Sequence, residues 1–595
     1  MTRGWSMEEK RALIGTALFV LVLLPFLQSV TYGAINFDDY PYTLNNPHVL
    51  RGITWDGIKY AFGGTRELGI WFPLTLFSYQ IDATVWQASA QTFHLSGLIW
   101  HGLGTVVLFL LIHEVLALRF VEREGWRGLL VAAVAACWWG IHPQRVESVV
   151  WIASRKDLLS GLFAFLALRA YLLARAGDPR QDDGGGWVCV QRELAPWLFY
   201  LLAIMGKPSV MTLPLAMGCT EWLALRRISW RPLIVPFVMA VGCAGLAVYM
   251  QTDVVAPAGT ERLPFWDRAV TSLASICYYG KTLVAPGELS LFYPWPRFLE
   301  YRQALLGLGG VMAWLAVGAT MLLRRQARTS GRAAGGGDLA VVGLWFLGTV
   351  APMLSLFMFG MHARADRFSY LPAVAAAVGG GVWLMSRKRI WVAVSAAFGV
   401  CLIFGIKAFQ EARHWKDSVS VFERAVAVTR DNAKAYCMLA GAYTMEGNRV
   451  LEARSALRES IAIRPNSENL GLLAFLLCSQ ATPAELEESV VLARQALALN
   501  ADEKPALAAL GAHALRQGDW QGAENFLVKS LEGQSEVQPV ILEWLGLARF
   551  NQKEYKGALE AFEKAAAVPG YANPRLLERI VLAREKSQQT GKGEK

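Results

Sequence analysis

Charge is scarce in this chain: Asp, Glu, Lys and Arg make up 18% of its 595 residues, whereas 54% are hydrophobic. Globular domains average about 25% charged residues, so this composition is displaced toward membrane proteins. Cysteine is sparse as well. The eight cysteines, at 137, 189, 219, 243, 277, 401, 437 and 478, show no Cys-x-x-Cys spacing. Most fall in apolar runs, which suits small core residues and excludes a disulfide framework or a cysteine metal site. A phosphate-binding glycine loop, a dinucleotide fingerprint, a zinc-binding HExxH and a serine-hydrolase elbow are all missing. The net charge of +10 does not gather on one soluble face, and no nucleic-acid-binding signature accompanies it. Nucleic acid is therefore not an expected partner.

What is present is a series of long apolar segments. Residues 12–30 carry no charge and can cross ~30 Å of hydrocarbon as a helix. A basic N-terminus precedes them and no small-residue cleavage site follows, so they are read as an uncleaved first span. About eleven candidate spans follow from hydropathy: 12–31, 94–118, 128–141, 158–174, 194–206, 208–224, 232–250, 303–323, 339–360, 368–385 and 390–409. Alternate loops carry Arg3/Lys10/Arg11, Arg119/Arg123/Arg127, Arg175/Arg180/Arg192, Arg226/Arg227/Arg231, Arg324/Arg325/Arg328/Arg332 and Arg387/Lys388/Arg389. The positive-inside bias then predicts a cytoplasmic N-terminus and an extracytoplasmic C-terminal part.

After about Phe409 the long apolar runs stop. Residues 410–585 read as a soluble helical repeat domain, and 586–595 as a frayed polar tail. A small residue followed by an apolar one recurs at Ala425-Val426, Ser460-Ile461, Ala496-Leu497, Ser530-Leu531 and Ala565-Ala566, with spacings of 35, 36, 34 and 35 residues. Tetratricopeptide repeats have a 34-residue helix–turn–helix unit with small positions of this kind. Leu510-Gly511 with Trp520 and Ala523, and Leu545-Gly546 with Tyr555, Ala558 and Phe562, continue the fit, while the unit around 468–500 is degenerate. Such solenoids bind peptides or proteins in a concave groove; the plainer role is to cap or dimerise the membrane part. The expected class is all-α throughout.

The face opposite the basic loops holds ionisable residues that topology does not explain. Asn36-Phe37-Asp38-Asp39-Tyr40 places adjacent carboxylates just beyond the first span. In an apolar setting at least one has a raised pKa, which suits a general base near neutral pH; a solvated interfacial loop is the plainer reading. His142-Pro143-Gln144-Arg145-Val146-Glu147 and Ser154-Arg155-Lys156-Asp157 put two basic clusters outside, against the bias. Arg clamps phosphate through parallel hydrogen bonds and Lys as a point charge, with Glu147 and Asp157 steadying them. Arg364-Ala365-Asp366-Arg367-Phe368-Ser369-Tyr370 repeats the theme, and Lys207 before Pro208 adds to the positive site. Tyr278-Tyr279 and the aromatic run 292–296 read as membrane-surface anchors. His94 and His101 share a helix face and read as core hydrogen-bonding residues. Carboxylates and cations at a membrane boundary suit a substrate with a phosphate and a lipid tail, such as a polyprenyl-phosphate sugar. Matched by Arg and Lys, its phosphate can leave, so an acceptor hydroxyl chiefly needs a base and no metal in principle.

Several of these stretches together resemble a known family. Phe37-Asp38-Asp39-Tyr40, Asn45-Asn46-Pro47, Gly52-Ile53-Thr54, Trp71-Phe72-Pro73-Leu74-Thr75 with Ser78 and Asp82, His94 and His101, the run from His142 to Asp157, and Asp366-Arg367 with Tyr370-Leu371-Pro372 are similar to the tetratricopeptide-repeat membrane O-mannosyltransferases and their bacterial relatives. The resemblance implies a GT-C glycosyltransferase fold over residues 1–409, an inverting mechanism and a lipid-phosphate sugar donor. An acidic residue of the first outer loop is catalytic in that fold, which maps onto Asp38 or Asp39. Asp38 is taken as the base with Asp39 orienting the acceptor or a ligand, and the reverse assignment stays open. Arg155, Lys156, Arg364, Arg367, Lys207 and Arg145 are the expected donor-phosphate ligands, supported by His142, Glu147, Asp157, Asp366, Tyr370 and His94. Some GT-C enzymes hold a divalent metal at the acidic pair, so metal dependence stays open. A compact chain with a minimal repeat array fits a bacterial inner membrane, with a protein acceptor recruited through the repeat groove. Two alternatives remain: transfer to a cell-envelope glycan or lipid, and a non-enzymatic membrane-tethered repeat scaffold.

Overall fold

The computed structural model describes residues 5–120, 125–177, 186–251, 264–296, 299–326, 336–356, 362–479, 482–533, 538–568 and 571–593. The expected loop cations Arg3, Arg123, Arg180, Arg328 and Arg332, and the side chains of Arg324, Arg325 and Cys189, lie outside the described residues. Helices joined by turns and loops account for the described residues, and an isolated antiparallel bridge pairs Tyr293 with Arg364. The chain divides into two compact units. Met1–Val255 with Arg262–Asp431 form the first, and Asn432–Lys595 lie in the second.

In the first unit the helix Ala90–Arg119 is central. It packs against Met7–Leu23, Trp126–Gly140 and Arg155–Ala176. Its start is set by Ser89, whose hydroxyl accepts the Thr92 N–H at 3.2 Å while the Ser89 N–H donates to the Thr92 hydroxyl at 3.1 Å. His101 on this helix meets the Tyr370 hydroxyl at 3.1 Å and the Gly140 carbonyl at 2.9 Å, a satisfied core histidine as expected. Among the described cysteines all but Cys277 are buried.

Five described helices are long and apolar enough to cross a membrane: Ala90–Arg119, Ile152–Ala176, Arg231–Met250, Tyr301–Thr320 and Ile390–Trp415. The last three leave apolar side chains such as Phe237, Leu305 and Val392 exposed, which suits lipid contact. Other expected spans form shorter helices, among them Leu213–Leu225 and Ala373–Met385 with 13 residues each. Thirteen residues rise only about 20 Å, because Pro208, Pro214 and Pro372 delimit or open these segments.

Two expected loops are more ordered than their composition suggests. Residues 251–302 contain the 20-residue helix Phe265–Val284. Residues 142–157 fold as the short helix Arg145–Val150, a tight turn and the first turn of Arg155–Ala176, and are buried throughout. Partners for the charges there make this burial affordable.

The second unit is a row of helix pairs. Ala433–Met445 packs on Val450–Ile463, Ser467–Ser479 on Pro483–Leu499, Lys504–Gln517 on Trp520–Leu531, and Pro539–Asn551 on Tyr555–Ala566. The recurring small residues Ser460, Ala496, Ser530 and Ala565 sit in the second helix of each pair, all fully buried. The sequence period is thus a packing period. Ala425 is buried in the same way in Ser418–Val428, a helix of the first unit. Gly546 shows why a side chain is excluded there, since a Cβ would lie 2.5 Å from the Phe562 ring. The degenerate stretch still pairs, with the Ser489 hydroxyl donating to the Ala474 carbonyl at 2.7 Å. The polar tail is not frayed where it is described: helix Pro574–Gly593 runs through it, built from residues such as Glu585, Lys586 and Gln588 that favour helix.

Candidate functional site

The site is built from four stretches of the first unit that are far apart in sequence. After the turn Leu27–Thr31 the chain folds back on itself at Asp39, which is fully buried. Its Oδ2 accepts the Ile35 N–H at 2.7 Å and its Oδ1 the Ala153 N–H at 2.8 Å. Burial raises its pKa to about 7 against the pull of these two amides. Asp39 therefore fixes the loop to the turn 151–154, each of its oxygens accepting one backbone amide. Asp38 is the more accessible member of the pair. Its carboxylate is about 30% exposed and lies 3.9 Å from Lys156 Nζ.

Lys156 sits in an aromatic box, 4.7 Å from the centre of the Tyr42 ring, 6.0 Å from Phe72 and 5.9 Å from Trp151. Cation–π attraction offsets part of the cost of burying an ammonium. The Arg367 guanidinium is 5.1 Å from the same Trp151 ring and 5.0 Å from Phe368, and Lys207 Nζ is 5.6 Å from Phe368. Lys156, Lys207 and Arg367 thus converge around Trp151 and Phe368. Gly206 makes this geometry accessible, because a Cβ there would come within 2.9 Å of the Ser160 backbone nitrogen. With that close approach Lys207 reaches Asp157, Nζ donating to Oδ1 at 2.5 Å. Arg367 is held by Glu147, which accepts from both its guanidinium and, at 2.7 Å, its backbone N–H. Burial pushes the Glu147 carboxyl up and the Arg367 charge opposes this.

Other expected ligands are placed elsewhere. Arg155, beside Lys156 in sequence, points the opposite way. It donates to Asp82 at 2.5 Å, to Ser96 at 2.5 Å and to the Phe93 carbonyl at 2.8 Å, stacked on Tyr79 at 4.2 Å. It is directed away from the cluster of Lys156, Lys207 and Arg367 and into the packing of Asp82, Ser96 and Tyr79. Arg145 is fully buried between Trp139 and Tyr370 and donates to the Ser369 hydroxyl at 2.6 Å. Arg364 turns to Glu300 at 2.5 Å and Tyr278. Asp366 accepts from Tyr278 at 2.5 Å and Tyr293 at 2.8 Å, which ties those aromatics into the fold; they are not simply surface anchors. His142 contacts the Leu283 carbonyl at 3.2 Å and accepts the Gln144 N–H, its pKa lowered to about 3 by burial first and Arg145 second. Tyr370 and His94 are buried, Tyr370 on His101 and His94 on the Gly33 carbonyl at 3.3 Å.

Sequence reasoning missed His362, which hydrogen-bonds the Arg367 guanidinium at 3.2 Å. Burial and the cations Arg367, Lys207 and Lys156 lower its pKa to about 3, so it stands neutral beside the basic cluster. Its place in the tight loop before Arg364 was the available signal. Among the described residues no three His, Cys, Asp or Glu side chains gather as metal ligands. Each Asp39 oxygen accepts one backbone amide, and Asp38 faces Lys156.

No protein-family model matches the chain. Over 234 residues it is 24% identical to a protein O-mannosyl-transferase of Caenorhabditis elegans; the match covers 38% of this chain and 30% of that relative. The chain therefore spans less than a third of the curated relative it matches. Among solved structures, the crystal structure of the APC/C hetero-tetramer Cut9–Hcn1 aligns with 79% of this chain and 85% of that chain, at 13% identity and a TM-score of 0.25. No fold inference follows from so low a score.

Proposed function

We propose that the chain is an inverting membrane glycosyltransferase of GT-C type, which moves a sugar from a polyprenyl-phosphate carrier to a hydroxyl of an extracytoplasmic protein. The observation that carries this reading is the partly exposed Asp38 carboxylate beside a cluster of three cations, Lys156, Lys207 and Arg367. The similarity to an O-mannosyl-transferase and the five apolar helices support it at a coarser level.

In this reading the donor phosphate docks on the three cations and its lipid tail lies against the exposed apolar helices. The acceptor hydroxyl attacks the anomeric carbon from the side opposite the phosphate. Asp38 takes its proton, and the bond between the anomeric carbon and the phosphate oxygen breaks with its electron pair going to the phosphate. Lys156, Lys207 and Arg367 stabilise that charge in a site poor in water, where fixed cations act most strongly. Eleven spans, a cytoplasmic N-terminus, a bacterial inner membrane and tetratricopeptide-type acceptor recruitment by the helix pairs complete the proposal. Sugar transfer from polyprenyl-phosphate mannose or glucose to envelope extract by the purified protein tests it. Absence of transfer with both donors, together with no binding of polyprenyl phosphate, would leave the scaffold alternative.

A further inference from the structure

We propose that Asp157 reads one hydroxyl group of the transferred sugar, in a cavity that it shares with Lys207 and Arg367; the inference rests on the glycosyltransferase reading above. The cavity has about 20 Å³ of space, room for a single water-sized group, and is lined also by Ser160, Ser209, Thr349 and Tyr370. Asp157 is 6% exposed. Its Oδ1 accepts from Lys207, but its Oδ2 has no hydrogen-bond partner among the described residues.

A buried acceptor left unpaired has lost its hydrogen bonds to water without replacement, a larger loss when it is charged. Two neighbouring hydroxyls do not supply the missing donor. Ser160 Oγ donates to the Asp157 backbone carbonyl at 3.2 Å, and Thr349 Oγ1 to the Trp345 carbonyl at 2.8 Å. The Tyr370 hydroxyl meets His101 Nδ1 at 3.1 Å, so the cavity is left with an acceptor open to a ligand's donor. The donor's phosphodiester is a monoanion that carries no proton at neutral pH and is repelled by a carboxylate, so Asp157 does not serve the phosphate half of the substrate. A sugar hydroxyl gives a proton and fits the volume, whereas the whole ring does not. The site therefore divides the donor lipid: the phosphate goes to the cations and one ring hydroxyl goes to Asp157 Oδ2, with Lys207 bridging the two halves. A site built to hydrogen-bond a hydroxyl rejects the analogue that lacks it, so this contact sets which sugar is accepted.

The test is equilibrium binding by the purified full chain in lipid nanodiscs. The probes are bare polyprenyl phosphate, polyprenyl-phosphate mannose and glucose, and the monodeoxy form of each sugar at every ring position. Wild type is compared with Asp157→Asn and with Ser209→Val, which fills the cavity and leaves the Asp157–Lys207 pair in place should Asp157→Asn fold poorly. Wild type should bind one glycosylated lipid at least about tenfold more tightly than the bare lipid, and a single deoxy position should remove about that advantage. Ser209→Val should keep its affinity for the bare lipid, and both variants should lose the discrimination between deoxy analogues. Equal binding of bare and glycosylated lipids by wild type, or unchanged deoxy discrimination in both variants, would overturn the inference even if sugar transfer is intact; in that case the cavity holds only water. Failure of wild type to bind any of these lipids and to transfer sugar would instead overturn the glycosyltransferase reading, and this inference with it.

Discussion

Asp39 and Ala153 are joined across 114 residues of sequence by one hydrogen bond, from the Ala153 N–H to Asp39 Oδ1 at 2.8 Å. With the second bond from Ile35 it makes Asp39 a fastener, and leaves the neighbouring Asp38 facing Lys156. The adjacent acids should therefore separate cleanly by phenotype. Asp39→Ala strips the acceptor from two buried amides and should cost at least about 2 kcal/mol of stability. Asp38→Ala, at a partly exposed position, should stay within about 0.5 kcal/mol of wild type. Thermal unfolding of the two variants in the same detergent checks this.

The pH dependence of stability follows from the same fastener. Burial raises the Asp39 pKa to about 7 in the folded protein, against about 3.9 when unfolded. Between these values the folded state holds a proton that the unfolded state has lost. Its contribution is complete below about pH 4 and is lost as pH rises through 7. The unfolding midpoint should fall from pH 5 to pH 8, and the slope should be shallower in Asp39→Ala. Burial raises Glu147 and Asp366 as well, so some slope should persist in that variant.

Arg155 and Lys156 are consecutive cations with opposite duties. Arg155→Gln leaves Asp82 buried without its ion-pair partner, a change that typically costs about 3–5 kcal/mol, and should impair folding. Lys156→Gln faces a partly exposed carboxylate and should fold. It should raise the KM for the donor lipid by about tenfold or more, the loss of one charge-assisted phosphate contact. Expression and unfolding of both variants, followed by donor titration of the folded one, make the comparison.

The helix-pair unit offers a packing test. Gly546→Leu would drive a branched side chain onto the Phe562 ring, where even a Cβ stands at 2.5 Å. Overpacking of this kind costs about 1–3 kcal/mol or more. Circular dichroism melting should show a destabilised helical transition, and a melt identical to wild type would remove Gly546 from the pair interface.

The helical class and the repeat period were legible in the sequence because both depend on local periodicity. Ser460, Ala496, Ser530 and Ala565 are recognisable as buried positions from their spacing alone, since close helix packing demands small residues at a fixed interval. The candidate site was legible as a set of loops but not as a set of partners. Nothing local to Arg155 and Lys156 says that one turns to Asp82 and the other to Asp38, because those choices are made by acids some 70 to 120 residues upstream. Hydropathy misjudged residues 142–157 for a related reason: a charged stretch reads as solvated unless its long-range partners are known. His362 escaped notice because a lone histidine in a loop acquires meaning only from the Arg367 beside it.

The most direct test of the account is sugar transfer by purified wild type beside Asp38→Asn, each shown to be folded by its unfolding midpoint. With polyprenyl-phosphate mannose and glucose as donors and envelope extract as acceptor, Asp38→Asn should bind donor lipid normally and lose about 10²–10⁴-fold in transfer rate, the usual worth of a positioned base. A folded Asp38→Asn protein that transfers sugar at the wild-type rate would contradict the assignment of Asp38 as the base, and with it the central claim.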